Sequence, residues 1–170
     1  SYRFSLFLAE IFHPLGFAID QENGPAVPKI ISYADTNDIE GVKKCIDDGC
    51  DIDEQRQDGR SALLVACLKG HFDIVKLLLE IMPMAVEEQK GGNALGHAAY
   101  KNHSDIVLFL LDNNADPNDK DKTGRNTLHI ACSQGCNETV KALVESGKIK
   151  NINDRTQDNR DVLTLAINGN

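Results

Sequence analysis

One segment recurs along the chain. "GHFDIVKLLLE" runs from Gly70 to Glu80, "NHSDIVLFLLD" from Asn102 to Asp112, and "GCNETVKALVE" from Gly135 to Glu145. A more divergent copy, "NDIEGVKKCID", spans Asn37 to Asp47. A second segment recurs in register with the first: "GRSALLVACLKG" from Gly59, "GGNALGHAAYKN" from Gly91, "GRNTLHIACSQG" from Gly124 and "NRDVLTLAINGN" from Asn159. Aligning their leucines at Leu63, Leu95, Leu128 and Leu163 gives intervals of 32, 33 and 35 residues. A pair of short amphipathic segments cannot bury its apolar face alone. A chain that writes the pair repeatedly is therefore constrained to a linear stack in which neighbours cover one another.

Each unit has the same internal grammar. Gly59, Gly91, Gly124 or Asn159 marks a turn, and Ser61, Asn93, Asn126 or Asp161 follows two places later, where a side-chain oxygen can cap a helix. The leucine and an alanine three residues on (Ala66, Ala98, Ala131, Ala166) share one face of a short helix. The small alanine lets neighbouring helices approach. Gly70, Asn102 and Gly135 tolerate the left-handed backbone that ends such a helix. A second helix follows, with an apolar face of Ile74, Val75, Leu78 and Leu79, then Ile106, Val107, Leu110 and Leu111, then Thr139, Val140, Leu143 and Val144.

On "GHFDIVKLLLE", "NNADPNDKDKTGRNTLHIA" and "GCDIDEQRQDGRSALLVA" the sequence resembles the ankyrin-repeat family. The resemblance implies an all-α solenoid of helix-turn-helix units joined by projecting hairpin loops, over residues 28–170. The expected units are 28–56, 57–89, 90–121, 122–156 and a partial 157–170. Ala62, Ala94, Thr127 and Val162 stand where the family usually has proline. Unit two ends "EIMPMAVEEQ" and is one residue short, so its hairpin near 82–90 is expected to be non-standard; "SGKIKNIND" in unit four is two residues longer, so its loop is expected to bulge. The first unit, opening at Pro28, reads as an N-terminal cap with a polar outer face. The last stops after its first helix.

Residues 1–27 do not repeat. "SYRFSLFLAEIF" is apolar nearly all round, which predicts a buried helix ending before Pro14 and too short to span a bilayer. Three readings stand open: a flanking helix that caps the first unit, a peptide fused through Gly24-Pro25, or the tail of an upstream helical domain. In the first two, residues 1–18 pack on the repeats or on another chain.

Composition excludes several function classes. Aromatic residues make up 5% of the chain and Trp is absent, so the core is aliphatic. The net charge of -8 argues against a nucleic-acid partner. Eight of the acidic residues lie between Asp35 and Glu54. No apolar run approaches a membrane span. Five cysteines, an odd number without framework spacing, predict a reduced, intracellular and cytoplasmic protein. The first residue is Ser, which reads as a fragment.

No catalytic constellation emerges. Cys67 and Cys132 occupy one register slot, filled by Ala99 in unit three, so the slot takes a small apolar side chain. Cys132 and Cys136 lack two further ligands for a closed zinc site. "DDGCDIDE" lacks calcium-loop spacing, and "KGG" at Lys90 is not a phosphate loop. No enzyme activity, cofactor or metal is expected. In the family His129, of "TLHIA", bonds locally and orients the hairpin. The resemblance also marks Asn118, in "NNADPN", as the hairpin asparagine that a hydroxylase modifies in similar repeats.

Function is then expected at a surface. The resemblance places partner contacts on hairpin tips and the exposed ends of first helices, on the concave side. Mapped here, these are Arg60, Arg125 and Arg160 after the turns, with Leu68 and Lys69, Tyr100 and Lys101, and Ser133 and Gln134 late in the first helices. Exposed apolar and aromatic neighbours make anchors. The flanking cations favour an acidic protein or peptide segment. The expected function is a protein-protein interaction module, such as an adaptor or scaffold. The alternative is a regulatory or targeting portion of a larger enzyme or scaffold, with residues 1–24 as a capping or autoinhibitory helix.

Overall fold

The computed structural model describes residues 27–83 and 94–168. Nine helices lie within them: α1 (Lys29–Asp35), α2 (Ile39–Asp47), α3 (Ala62–Lys69), α4 (Phe72–Ile81), α5 (Ala94–Tyr100), α6 (Ser104–Asp112), α7 (Thr127–Ser133), α8 (Asn137–Glu145) and α9 (Val162–Asn168). They pair as α1/α2, α3/α4, α5/α6 and α7/α8, with α9 unpaired among the described residues. The odd-numbered helices form one row, α1 on α3 on α5 on α7 on α9; the even-numbered helices form the other. The fold is all-α, with paired helices stacked as repeats.

The turn grammar becomes geometry at each joint. Asp38 accepts from Gly41 N–H at 2.8 Å, Ser61 from Leu64 at 3.4 Å, Asn126 from His129 at 3.0 Å and Asp161 from Thr164 at 2.9 Å. Each satisfies an orphan helical N–H. Between first and second helices the chain turns through left-handed residues Asn37, Gly70, Asn102 and Gly135, with φ of 59°, 82°, 61° and 66°.

The core is a continuous aliphatic seam. Ala66, Ala98 and Ala131 are fully buried where first helices meet. Ile74, Val75, Leu78 and Leu79 are buried on α4, as are Ile106, Val107, Leu110 and Leu111 on α6. Phe72 and Phe109 add an edge-to-face pair between α4 and α6, with ring centroids 5.3 Å apart. Alanines interleaved with branched aliphatics in the odd-numbered row, and branched aliphatics in the even-numbered row, give thin, closely stacked layers.

Three expectations need correction. Val144 shares its register slot with Leu79 and Leu111, yet it is exposed. The side of α4 and of α6 that buries this slot packs against the next even-numbered helix, and α8 has no such neighbour among the described residues. Leu163 matches the buried Leu63, Leu95 and Leu128 but is 74% exposed, for the same reason. Third, the cysteines are not all reduced: Cys45 and Cys50 form a disulfide, with Cα atoms 5.3 Å apart. Spacing of five residues matches no helix ridge, so it carries no signal by itself. The left-handed Gly49 (φ 79°) folds the chain back after α2 and brings the two together.

The longer unit-four loop does not simply bulge outward. It sends Lys148 Nζ to the Leu111 carbonyl and Lys150 Nζ to Asp116, at 3.2 Å, both in the preceding unit. The expected N-terminal helix and almost all of the unit-two hairpin lie outside the described residues.

Candidate interaction surface

One register slot near the ends of α1, α3, α5 and α7 builds the candidate surface. It holds Asp35, Leu68, Tyr100 and Ser133 in successive units; the next position holds Thr36, Lys69, Lys101 and Gln134. The backbone of this strip is anchored from the following unit. His71 Nε2 lies 3.3 Å from the Asp35 carbonyl, His103 Nε2 lies 3.3 Å from the Leu68 carbonyl, and Cys136 Sγ lies 3.8 Å from the Tyr100 carbonyl. Asn102 Oδ1 adds a further tie by accepting from Thr139 N–H and Oγ1. Sequence reading gave His71, His103 and Cys136 no role and missed the ties. The signal was present: "GH", "NH" and "GC" recur at one register position.

Side chains along the strip differ in what they leave available. Tyr100 is 45% exposed, and Lys101 Nζ sits 5.3 Å from the centre of its ring. That distance is within cation–π range. Leu68 is half-buried. Lys69 pairs with Asp35 at 3.2 Å. Ser133 Oγ donates to the Ile130 carbonyl at 2.8 Å, and Gln134 donates to Ser133 at 3.4 Å.

Arg60, Arg125 and Arg160 are each tied within their own turns. Arg60 faces Asp58 at 3.6 Å, Arg125 faces Asp121 at 2.9 Å, and Arg160 faces Asp158 at 2.5 Å. These are half-exposed pairs that organise the hairpins rather than a row of unpaired cations. Asp121 is the most elaborate. Burial pushes its carboxyl up, but the Thr123 hydroxyl, the N–H groups of Arg125 and Thr123 and the Arg125 guanidinium outweigh that and hold it at about 2. Asp158 is likewise lowered, chiefly by the Thr156 hydroxyl.

Asn118 stitches two hairpins together. Its carboxamide nitrogen donates to Asp116 at 2.6 Å and to the Lys148 carbonyl at 2.9 Å; its oxygen accepts from Lys150 N–H at 2.8 Å. Lys120 and Asp154 add an ion pair at 2.7 Å. His129 is fully buried: its Nδ1 accepts from Asn126 N–H at 3.3 Å and its Nε2 donates to the Asp154 carbonyl at 2.9 Å. It orients the next hairpin, as the resemblance implies.

The remaining nucleophiles are packed away. Cys67 is fully buried, and burial raises its thiol far above the ordinary range. Cys132 is buried and raised for the same reason, with Cys136 adding to the shift. Among the described residues no three His, Cys, Asp or Glu side chains cluster as metal ligands, and no helix is long and apolar enough to cross a membrane.

A family profile described as ankyrin repeats (three copies) matches residues 30–121 and 116–170. The chain belongs to the ankyrin-repeat family. Three curated proteins are similar to parts of it. The chain is 49% identical over 49 residues to an acyl-CoA-binding domain-containing protein 6 homolog of Dictyostelium discoideum, covering 28% of this chain and 17% of that protein. It is 32% identical over 136 residues to the transient receptor potential cation channel subfamily A member 1 of Drosophila melanogaster, covering 76% of this chain and 11% of the channel. It is 42% identical over 52 residues to serine/threonine-protein kinase 12 of Arabidopsis thaliana, covering 31% of this chain and 11% of the kinase. The match spans less than a fifth of each relative's length.

Proposed function

We propose that this ankyrin-repeat chain is a protein-interaction module whose partner seats across Leu68, Tyr100 and Lys101. The single observation behind this reading is the exposure of Tyr100. It projects from α5, a helix whose other described side chains are largely buried, and carries a lysine over its ring. A rigid aromatic anchored through its own carbonyl loses little entropy on binding. Lys101 has no carboxylate partner among the described residues, unlike Lys69, Arg60, Arg125 and Arg160. The surface therefore favours a segment with an apolar or aromatic centre and one acidic group beside it. A partner recognised by a whole row of arginines fits less well. Ser133, Gln134 and the arginine-bearing turns form the polar rim.

Tyr100→Ala tests this directly. The variant should fold as the parent does and lose about 2 kcal/mol or more of partner binding, the scale of an interface anchor. Unchanged capture of partners in a pull-down beside the parent would sink the proposal.

A second reading is that the repeats regulate or target a larger protein. It is favoured by the relatives, which include a channel and a kinase far longer than the matched stretch. A catalytic or channel domain in the same reading frame decides it. An intracellular location and hydroxylation of Asn118 remain part of the proposal. A hydroxylase would have to free a carboxamide bonded at both ends. Mass spectrometry showing no added oxygen at Asn118 in protein from the native source counts against that modification.

A further inference from the structure

The Cys45–Cys50 disulfide sits in a place that the repeat itself prepares. Cys45 occupies the slot held by Leu78, Leu110 and Leu143, and Cys50 the slot held by Ala115 in unit three. The same turn is built in both units: Cys50 N–H donates to the Cys45 carbonyl at 2.9 Å, and Ala115 N–H to the Leu110 carbonyl at 3.0 Å. Gly49 and Asn114, one residue earlier, share the left-handed backbone, with φ of 79° and 67°. The repeat thus brings residues five apart within 5.3 Å at Cα. Disulfides span roughly 4.4–6.8 Å, so the backbone need not move for the bond to form or open.

We propose that Cys45 and Cys50 are a reversible thiol–disulfide pair that locks the C-terminal turn of α2. Two features separate their roles. Cys45 is buried in the core, whereas Cys50, at the start of the hairpin, is only partly buried. Cys50 is therefore the sulfur that an external disulfide reaches. Oxidation by a small-molecule disulfide such as glutathione disulfide runs in two exchanges. The Cys50 thiolate attacks one sulfur of the oxidant and expels one thiolate, leaving a mixed disulfide. The Cys45 thiolate then attacks Cys50 Sγ and expels the second. Each protein thiol gives up its proton, the dithiol loses two electrons, and the oxidant is reduced to two thiols. Reduction by two thiols reverses the sequence.

The lock matters because the first unit is thinly filled. A thiol stands where later units have leucine, so the reduced form has fewer packing contacts at the end of α2. Closing a loop this short constrains the local turn and leaves the other units untouched.

The full chain, equilibrated in glutathione buffers from fully reduced to fully oxidised, is alkylated and read by peptide mass and amide hydrogen exchange. One two-electron transition is expected at Cys45 and Cys50, with Cys67, Cys132 and Cys136 remaining thiols. Reduction should speed exchange on the order of tenfold across residues 45–54 and leave α4 and α6 unchanged. Cys45→Ser should trap a glutathione adduct on Cys50. The double variant Cys45→Leu with Cys50→Ala, which restores the residues of unit three, should fold and show no redox response. The proposal is overturned if all five cysteines alkylate in the oxidised buffer, or if exchange over 45–54 is the same in both redox forms.

Discussion

The imidazole of His103 lies directly against Gly70. A methyl group at Gly70 would come within 2.5 Å of His103 Cε1, on a residue whose φ is already 82°. Gly49 has a similar φ of 79° but nothing within 4 Å. The two glycines separate backbone strain from crowding. Gly49→Ala should cost about 1–2 kcal/mol, from the left-handed backbone alone. Gly70→Ala should cost a further ~1–3 kcal/mol, since it also displaces the side chain that anchors the Leu68 carbonyl. Urea midpoints compare them, and equal shifts would mean that His103 swings away freely.

Asn118 links consecutive hairpins through its carboxamide, so Asn118→Ala should destabilise by about 1–2 kcal/mol, the net worth of two such hydrogen bonds. Asn118→Asp should not rescue it fully, because a carboxylate cannot donate to the Lys148 carbonyl. Amide exchange at Lys150 should accelerate in Asn118→Ala, which removes its acceptor, and less in Asn118→Asp, which keeps an oxygen there. Protection at Lys150 equal to the parent's would show that the hairpins hold without this link.

Acid sensitivity should concentrate at Asp121. Its carboxyl is held at about 2 in the folded chain, below the ordinary 3.8. A group depressed by folding adds stability that is complete above its unfolded value and fades as pH falls towards its folded one. The contribution of Asp121 should therefore be intact at pH 5 and above, decline from about pH 4, and be gone by about pH 2. Asp121→Asn should be less stable than the parent at pH 6, with the gap closing as pH approaches 2. A gap that stays constant between those values would assign the effect to shape rather than charge.

Leu128 and Leu163 occupy the same register slot with opposite exposures, 1% and 74%. Leu128→Asp places an unpaired charge in the core and should abolish folding. Leu163→Asp should change stability by less than about 0.5 kcal/mol, as surface substitutions usually do. Circular dichroism during heating distinguishes them. A Leu163 variant as damaged as the Leu128 one would mean that the outer side of α9 is covered in solution.

Leu110 and Tyr100 divide core from surface. Leu110 is fully buried on α6, and Leu110→Ala should cost about 2–5 kcal/mol. Tyr100→Ala should leave the unfolding midpoint within about 0.5 kcal/mol of the parent. Comparable losses in the two would assign Tyr100 to the core.

The sequence by itself determined the repeat, its register and its turns, because each depends on groups close in the chain. Ser61, Asn126 and Asp161 cap helices three residues ahead, and Gly70, Asn102 and Gly135 turn the backbone at their own positions. Spacing of this kind is visible without coordinates. Only the tertiary structure decided which cations remain unpaired, since Asp35 meets Lys69 from the neighbouring unit. It alone showed that His71 and His103 reach carbonyls about one repeat back. Val144 and Leu163 read as core because periodicity records which face is apolar, whereas burial requires a neighbouring helix to cover that face. Cys45 and Cys50 escaped for a related reason. Five residues is no helical period, and a left-handed Gly49 had to fold the chain back before the two sulfurs could meet.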